Sequence, residues 1–360
     1  MPCSSEMGVM KESGMRFNPR QLLVALLLLP FFATGCADSS SEPTAQEVEA
    51  AVADEQLQVI ATFLPMYLFT KAVAGEAADV AILIQPGTEV HEYQSTPADV
   101  RAIAQADVLV QNGLGMEEFL EGTLESAQNP NLTIINASEG ITPLEDESPV
   151  ITPSAGQTEA EHSQGDEAHE HADEAHSHEE EETTTSGHGH THAENPHVWL
   201  DPLLAVQQVE TIRDGLAAAD PDNAETYEAN AAAYIEQLQA LDDQFQQRLQ
   251  PFGDRTFISF HDAYPYLADR YNLQQVAIVA LPEDSLTPDD IQKTIAIVKQ
   301  YDVKALFAEP GVDNRLLESL SQDLSLELKE LDPLEAGDLD PQYYFTAMEA
   351  NLKTLESAFQ

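Results

Sequence analysis

Only two cysteines, Cys3 and Cys36, occur in 360 residues, and Lys and Arg together number 15 against 64 Asp and Glu. The shortage of cysteine excludes a disulfide framework and a thiolate metal centre, so any metal has to be held by His, Asp and Glu. The shortage of basic residues, at a formal net charge of −49, argues against nucleic-acid binding, which needs clustered Lys and Arg against phosphates. Such acidity keeps a surface solvated and attracts cations. The sequence carries no nucleophile elbow, phosphate loop or Ser-His-Asp pattern. What it does have is 42% hydrophobic residues, enough for a sizeable core, in a chain long enough for two domains.

The N-terminus reads as an export address. Lys11, Arg16 and Arg20 precede the apolar run "LLVALLLLPFF" (Leu22–Phe32), then small residues and Cys36. The run falls short of the roughly 20 apolar residues of a membrane-spanning helix and fits a secretory signal over residues 1–35. Met15 is an alternative start to Met1. The ending "ATGC" resembles a bacterial lipobox, in which Cys36 is acylated and becomes the mature N-terminus. Ala33 stands where Leu is usual, which leaves ordinary signal-peptidase cleavage as the alternative. Residues 36–56, small and polar, read as a flexible tether. The expected location is therefore periplasmic or otherwise extracytoplasmic, with a lipid anchor in the membrane.

From residue 57 strands and helices alternate. "LQVIATF" reads as a strand, "PMYLFTKAVAG" as a helix ended by Gly75, and "ADVAILIQ" as a second strand closed by Pro86-Gly87. Thr96, Pro97 and Asp99 have the spacing of a helix N-cap, first turn and capping box. "ADVLVQNG" and "LTIIN" supply two more strands. After residue 251 the alternation restarts with "TFISF", "QQVAIV", "VKALFAE" and "SLELKEL" as strands, and "PQYYFTAMEANLKTLESAF" closes the chain as a helix. Between them, Pro221–Leu249 reads as one long helix. On it Tyr227, Ala231, Tyr234, Leu238, Leu241 and Phe245 fall on one face at three- and four-residue spacing. The pattern predicts an α/β protein of two lobes, each a mainly parallel sheet flanked by helices, joined by one long rigid helix. The expected boundaries are 57–220 for the N-terminal lobe, 221–250 for the linking helix and 251–360 for the C-terminal lobe. Residues 144–195 interrupt the first lobe with Pro, Ser, Thr, His and acids and are expected to be mobile.

Histidines are concentrated in that interruption: His162, His169, His171, His176, His178, His188, His190 and His192 are eight of the chain's eleven. The other three are solitary. His91 lies in "GTEVHEY" after the second strand, His197 in "NPHVWLDP" where order returns, and His261 in "FHDAY" at the end of "TFISF". Asp332, in "LDPLEA", ends the strand "SLELKEL". In open α/β sheets, ligands bind beyond the carboxyl ends of the strands, where all four stand. An Asp before Pro also commonly starts a turn, and a loop His is commonly just solvated.

"GTEVHEYQSTPADVRAIAQADVLVQNGLGMEEFLE", "NPHVWLDP", "FISFHDAYPYLADRYNL", "ALFAEPG" and "LDPLEA", in that order, resemble the successive motifs of ZnuA-type zinc-binding proteins, the metal-specific extracytoplasmic solute-binding components of ABC importers. The resemblance runs from Val59 to the C-terminus. It implies a metal in the interlobe cleft held by His91, His197, His261 and Asp332, with Zn²⁺ as the transported ligand and an ABC permease as partner, the protein acting as a monomer. Glu89, Glu92 and Glu309 are alternative or supporting carboxylates, because many zinc-specific relatives carry an acid directly before the first ligand, where this chain has Val90. Three imidazoles and one carboxylate suit four-coordinate zinc, whereas manganese prefers more oxygen. Manganese or another divalent ion, and a metal-dependent surface adhesin, are the alternatives. Catalysis is not expected, since catalytic zinc commonly takes two ligands from a close pair and leaves one position open to water. The histidine-rich stretch is expected to be an accessory, weak and multivalent zinc collector.

Overall fold

The computed structural model describes residues 56–144, 150–152, 194–279, 287–301, 303, 305–311 and 313–360. The expected leader, Cys36, the expected tether up to residue 55 and the eight clustered histidines lie outside the described residues. So do residues 145–149 and 153–193 of the expected mobile interruption. No described helix is long and apolar enough to cross a membrane.

The first lobe is built on four strands, β1 (Leu57–Ala61), β2 (Ala78–Ile82), β3 (Val108–Gln111) and β4 (Thr133–Asn136). They pair in the order β2-β1-β3-β4, every pair parallel, with Val59 opposite both Val80 and Val108. Parallel strands need crossovers, supplied here by helices α1 (Leu64–Ala74), α2 (Pro97–Gln105) and α3 (Leu120–Ala127). The expected start of α2 is observed in full: Thr96 accepts from the Ala98 amide, and Asp99 closes the capping box. α3 had no clear sequence pattern, and Gly122 interrupts its apolar spacing.

Helix α4 (Pro202–Ala219) returns across the first sheet and is followed by α5 (Ala224–Leu249). Gly215 in α4 permits close packing on β4, because a Cβ there would stand 2.4 Å from Ile135 Cδ1. α5 is the predicted long helix, shortened at its start because Pro221 begins a 3₁₀ turn (Pro221–Asn223) rather than an α-helical one. Its 26 residues span about 39 Å.

The second lobe has five strands: β5 (Val150–Thr152), β6 (Thr256–Ser259), β7 (Gln274–Val279), β8 (Ala305–Ala308) and β9 (Glu327–Glu330). Their order is β5-β7-β6-β8-β9, again all parallel. Helices α6 (Pro265–Arg270), α7 (Pro288–Gln300), α8 (Arg315–Leu324) and α9 (Tyr343–Phe359) complete it. β5 departs from the expected boundaries. It falls inside the 57–220 segment, yet it pairs with β7, Val150 opposite Ala277 and Thr152 opposite Val279. Three β-branched residues gain a paired edge there.

The two lobes share one apolar core. The α5 face read from the sequence is buried at Tyr227, Ala231, Tyr234, Leu238, Leu241 and Phe245, and belongs to a cluster reaching from Val59 to Phe359. Phe245 stacks on Tyr271 at 5.0 Å. Asp242 on α5 accepts from Arg270 Nε at 2.9 Å and from the Tyr271 hydroxyl at 3.0 Å, which ties the helix to the second lobe. Asn230 donates to Val73 O at 3.0 Å and ties it to the first. Leu238→Ala is expected to cost about 3 kcal/mol of unfolding free energy in chemical denaturation. A cost below about 1 kcal/mol would mean that α5 is not clamped by the shared core.

Candidate metal centre

In both sheets the chain leaves the carboxyl ends of the strands toward one region, and the solitary histidines lie there. His91 sits in the loop after β2, His261 in the loop immediately following β6, and His197 just before the 3₁₀ turn Val198–Leu200 that leads into α4. All three are buried, His261 completely. Their ring centroids lie 5.2 Å (His91–His197), 5.2 Å (His197–His261) and 5.9 Å (His91–His261) apart.

The carboxylate that joins them is Glu335, not Asp332. Glu335 Oε1 lies 3.9 Å from His91 Nε2, 3.6 Å from His197 Nε2 and 3.9 Å from His261 Nε2. One ligand atom from each of the four residues falls within 4.8 Å of every other, and the His197 and His261 Nε2 atoms are 3.4 Å apart. Ligands about 2.0–2.2 Å from a tetrahedral ion are roughly 3.3–3.6 Å from one another. The Glu335 contacts at 3.6–3.9 Å and the His197–His261 contact at 3.4 Å approach that spacing. Its Oε1 is buried with no hydrogen-bond partner among the described residues, and a cation would satisfy it.

Asp332 departs from the sequence expectation because its carboxylate is used within its own loop. Oδ1 accepts from the Leu334 amide at 2.7 Å and Oδ2 from the Tyr343 hydroxyl at 2.7 Å. The motif "LDPLEA" offers two carboxylates, and the turn-starting habit of Asp before Pro is the feature that separates them.

The supporting groups fix which imidazole nitrogen faces the cluster. His197 Nδ1 lies 2.9 Å from Asn195 Oδ1, and the same oxygen accepts from the His197 amide. His261 Nδ1 lies 2.6 Å from Glu309 Oε2. Both acceptors require a proton on Nδ1, which leaves the Nε2 lone pair for a metal. Glu309 thus stands behind His261. Glu89 is also outside the cluster: its Oε1 accepts from the Val90 and His91 amides at 3.0 and 3.1 Å and shapes the His91 loop. Glu92 is exposed at the edge of that loop. Trp199, fully buried, packs edge-on against Phe63 and donates to Pro333 O at 2.8 Å. Tyr264 and Tyr266 hold the Leu331 and Asn195 carbonyls at 2.8 and 2.7 Å.

The electrostatics are those of a site that exchanges protons for a cation. Burial would by itself lower the His261 pKa, but the charge and hydrogen bond of Glu309, with Glu335 and Glu89 beyond, raise it to about 9. Burial raises the Glu335 carboxyl to about 8; His261 opposes this, while Glu89, Glu309 and Asp332 add to it. A dication replaces those protons and compensates the buried negative charge.

Comparison with known proteins follows the same line. The sequence profile described as "Zinc-uptake complex component A periplasmic" matches residues 59–358. The zinc-binding lipoprotein AdcA of Streptococcus pneumoniae is 34% identical over 309 residues, covering 84% of this chain and 56% of that protein. The chain therefore spans little more than half the length of the AdcA relatives it matches. The high-affinity zinc uptake system protein ZnuA of Bacillus subtilis is 30% identical over 328 residues, covering 90% of this chain and 92% of that protein. The crystal structure of the Zn(II)-bound ZnuA-like domain of Streptococcus pneumoniae AdcA superposes with a TM-score of 0.65 at 30% identity, covering 84% of this chain and 99% of that one. With the profile matching residues 59–358, the protein belongs to the ZnuA family.

Proposed function

We propose that the protein captures Zn²⁺ outside the cytoplasm and delivers it to the membrane permease of an ABC importer. The observation that carries this reading is the convergence of three buried imidazoles and the Glu335 carboxylate, one ligand atom of each within 4.8 Å of the others. In this reading His91, His197, His261 and Glu335 are the ligands, Asn195 and Glu309 orient two of the rings, and the ion is cargo rather than a catalytic cofactor. Four protein ligands close the coordination sphere, which suits binding and leaves no position for an activated water. Imidazole-rich coordination favours zinc over manganese. Cys36 supplies a lipid anchor, the chain works as a monomer, and the histidine-rich stretch collects zinc weakly for the tight site.

Replacing His91, His197 or His261 by Ala, or Glu335 by Gln, is expected to weaken the tightest zinc event by about tenfold or more, each variant keeping the native circular dichroism spectrum. Calorimetry on the four variants tests the ligand set, and wild-type affinity in all of them would remove it.

Protonation gives a separate expectation. His261 and Glu335, raised to about 9 and about 8, both hold protons at neutral pH in the metal-free protein and must lose them to ligate. Zinc binding at pH 7 should therefore release between roughly one and two protons. Affinity should climb as pH rises from 6 and level off above about pH 9, where the free site is already deprotonated. Titrations in buffers of different ionisation enthalpy count the protons; release of none at pH 7 would contradict the electrostatics described above.

Deleting residues 157–194 should abolish the weaker zinc events and leave the tight one, as native mass spectrometry of the two chains would resolve. Loss of the tight event on deletion would place one of its ligands in that segment.

A further inference from the structure

Glu335 is carried by a turn that residues outside it hold at several points. The turn begins at Leu331, whose carbonyl accepts from the buried Tyr264 hydroxyl at 2.8 Å. At Asp332 the backbone is gripped at both ends by one side chain, Asn351, which accepts from the amide at 2.8 Å and donates to the carbonyl at 2.8 Å. Trp199 takes the Pro333 carbonyl at 2.8 Å. The Gly87 amide, from the loop that bears His91, donates to Glu335 O at 3.0 Å. Leu334 adopts a left-handed conformation, φ +65°, uncommon for a leucine and costly unless the surroundings hold it.

Two side chains impose that conformation. Asp332 Oδ1 accepts from the Leu334 amide, and its Oδ2 lies 2.7 Å from the Tyr343 hydroxyl. The same hydroxyl is 3.0 Å from Ala336 O, so it bridges the two sides of the turn around Glu335. Tyr343 reaches this place because residue 337 is glycine: a Cβ there would stand 2.1 Å from Tyr343 Cε1.

The geometry points to Asp332 and Tyr343 as positioning residues that set the Glu335 carboxylate against the three imidazoles before an ion arrives. This rests on Glu335 being the fourth ligand. The Asp332 carboxylate acts on the metal through the Leu334 backbone and not by contact. Holding the fourth ligand in place removes its ordering cost from the binding step and slows its departure. The gain is therefore expected mainly in the rate of ion release.

The test uses the full chain with Zn²⁺ competed against a chromophoric chelator, for affinity at equilibrium and for release rate by stopped flow. Tyr343→Phe keeps the ring and deletes the bridge, and should weaken binding by about tenfold, chiefly through faster release. Asp332→Ala should do at least as much. Asp332→Asn is the discriminating variant. Its carbonyl can still accept from Leu334, its amide can donate to the Tyr343 oxygen, and that hydroxyl remains free to donate to Ala336. Affinity within about threefold of wild type is expected, since the turn is retained. A coordinating Asp332 would instead lose affinity as Asn as severely as it does as Ala, and that result overturns the proposal. Wild-type release rates in Tyr343→Phe also overturn it. Glu335→Gln, run in parallel, separates the two failures: if it retains tight binding, the ligand assignment falls, whatever the Asp332 series shows. Metal-free thermal transitions within about 3 °C of wild type, roughly 1 kcal/mol for a chain of this size, are expected for Tyr343→Phe and Asp332→Asn. A larger fall in both would assign the pair to general stability and overturn the positioning role.

Discussion

Strands β6 and β8 are neighbours in a parallel sheet, and just beyond their carboxyl ends His261 and Glu309 meet through a 2.6 Å hydrogen bond. The site depends on this contact. It places a fully buried imidazole on rigid backbone, fixes its tautomer, and puts a second negative charge behind the ring without entering the cluster. An isolated buried carboxylate would be expensive. Here the Glu309 carboxylate receives the Nδ1 proton and also accepts from the His261 amide at 3.1 Å, so its charge is compensated locally while making Nε2 a better electron donor.

The rest of the architecture serves to bring three other loops to that point. The first sheet delivers His91, the return into α4 delivers His197, and β9 delivers Glu335. Each comes with its own brace: Glu89 for the first loop, Asn195 for the second, and the Asp332–Tyr343 pair for the third. The long helix α5, buried along one face, is tied to both lobes, and the four residues converge without any of them being neighbours in sequence. Among the described residues, a chain so rich in carboxylates thereby brings Glu335 alone to the point where all three Nε2 atoms converge. The other acids near the centre are spent on backbone amides and ring nitrogens.

The sequence made some of this legible. The α5 face was visible because a 3.6-residue pattern sustained over about five turns has few alternatives, and the α2 start because Thr96, Pro97 and Asp99 specify local hydrogen bonds. The three histidines stood out as solitary ligands at strand ends. Three features were not legible, for physical reasons. β5 is three residues long and takes its structure from pairing with β7, a non-local contact with no periodicity to announce it. The choice between Asp332 and Glu335 turns on the backbone conformation at Leu334, a residue whose identity argues against the left-handed region it occupies. The first turn at Pro221 is 3₁₀ rather than α, a boundary detail that propensity does not resolve.

The bond from the Gly87 amide to the Glu335 carbonyl has a consequence for exchange. It joins the His91 loop of one sheet to the Glu335 turn of the other through main-chain atoms alone, so no change of side chain at either position deletes it, short of proline at residue 87. Any parting of these loops breaks this bond and separates Glu335 from His91 in the same motion, while Glu335 and His261 stay together on the second sheet. An ion in the centre would then be left with the ligands of one side only, His91 and His197 or His261 and Glu335. Retention and escape are thereby written into one coordinate, and a cation shifts the balance between them only by the difference in its affinity for the joined and parted arrangements.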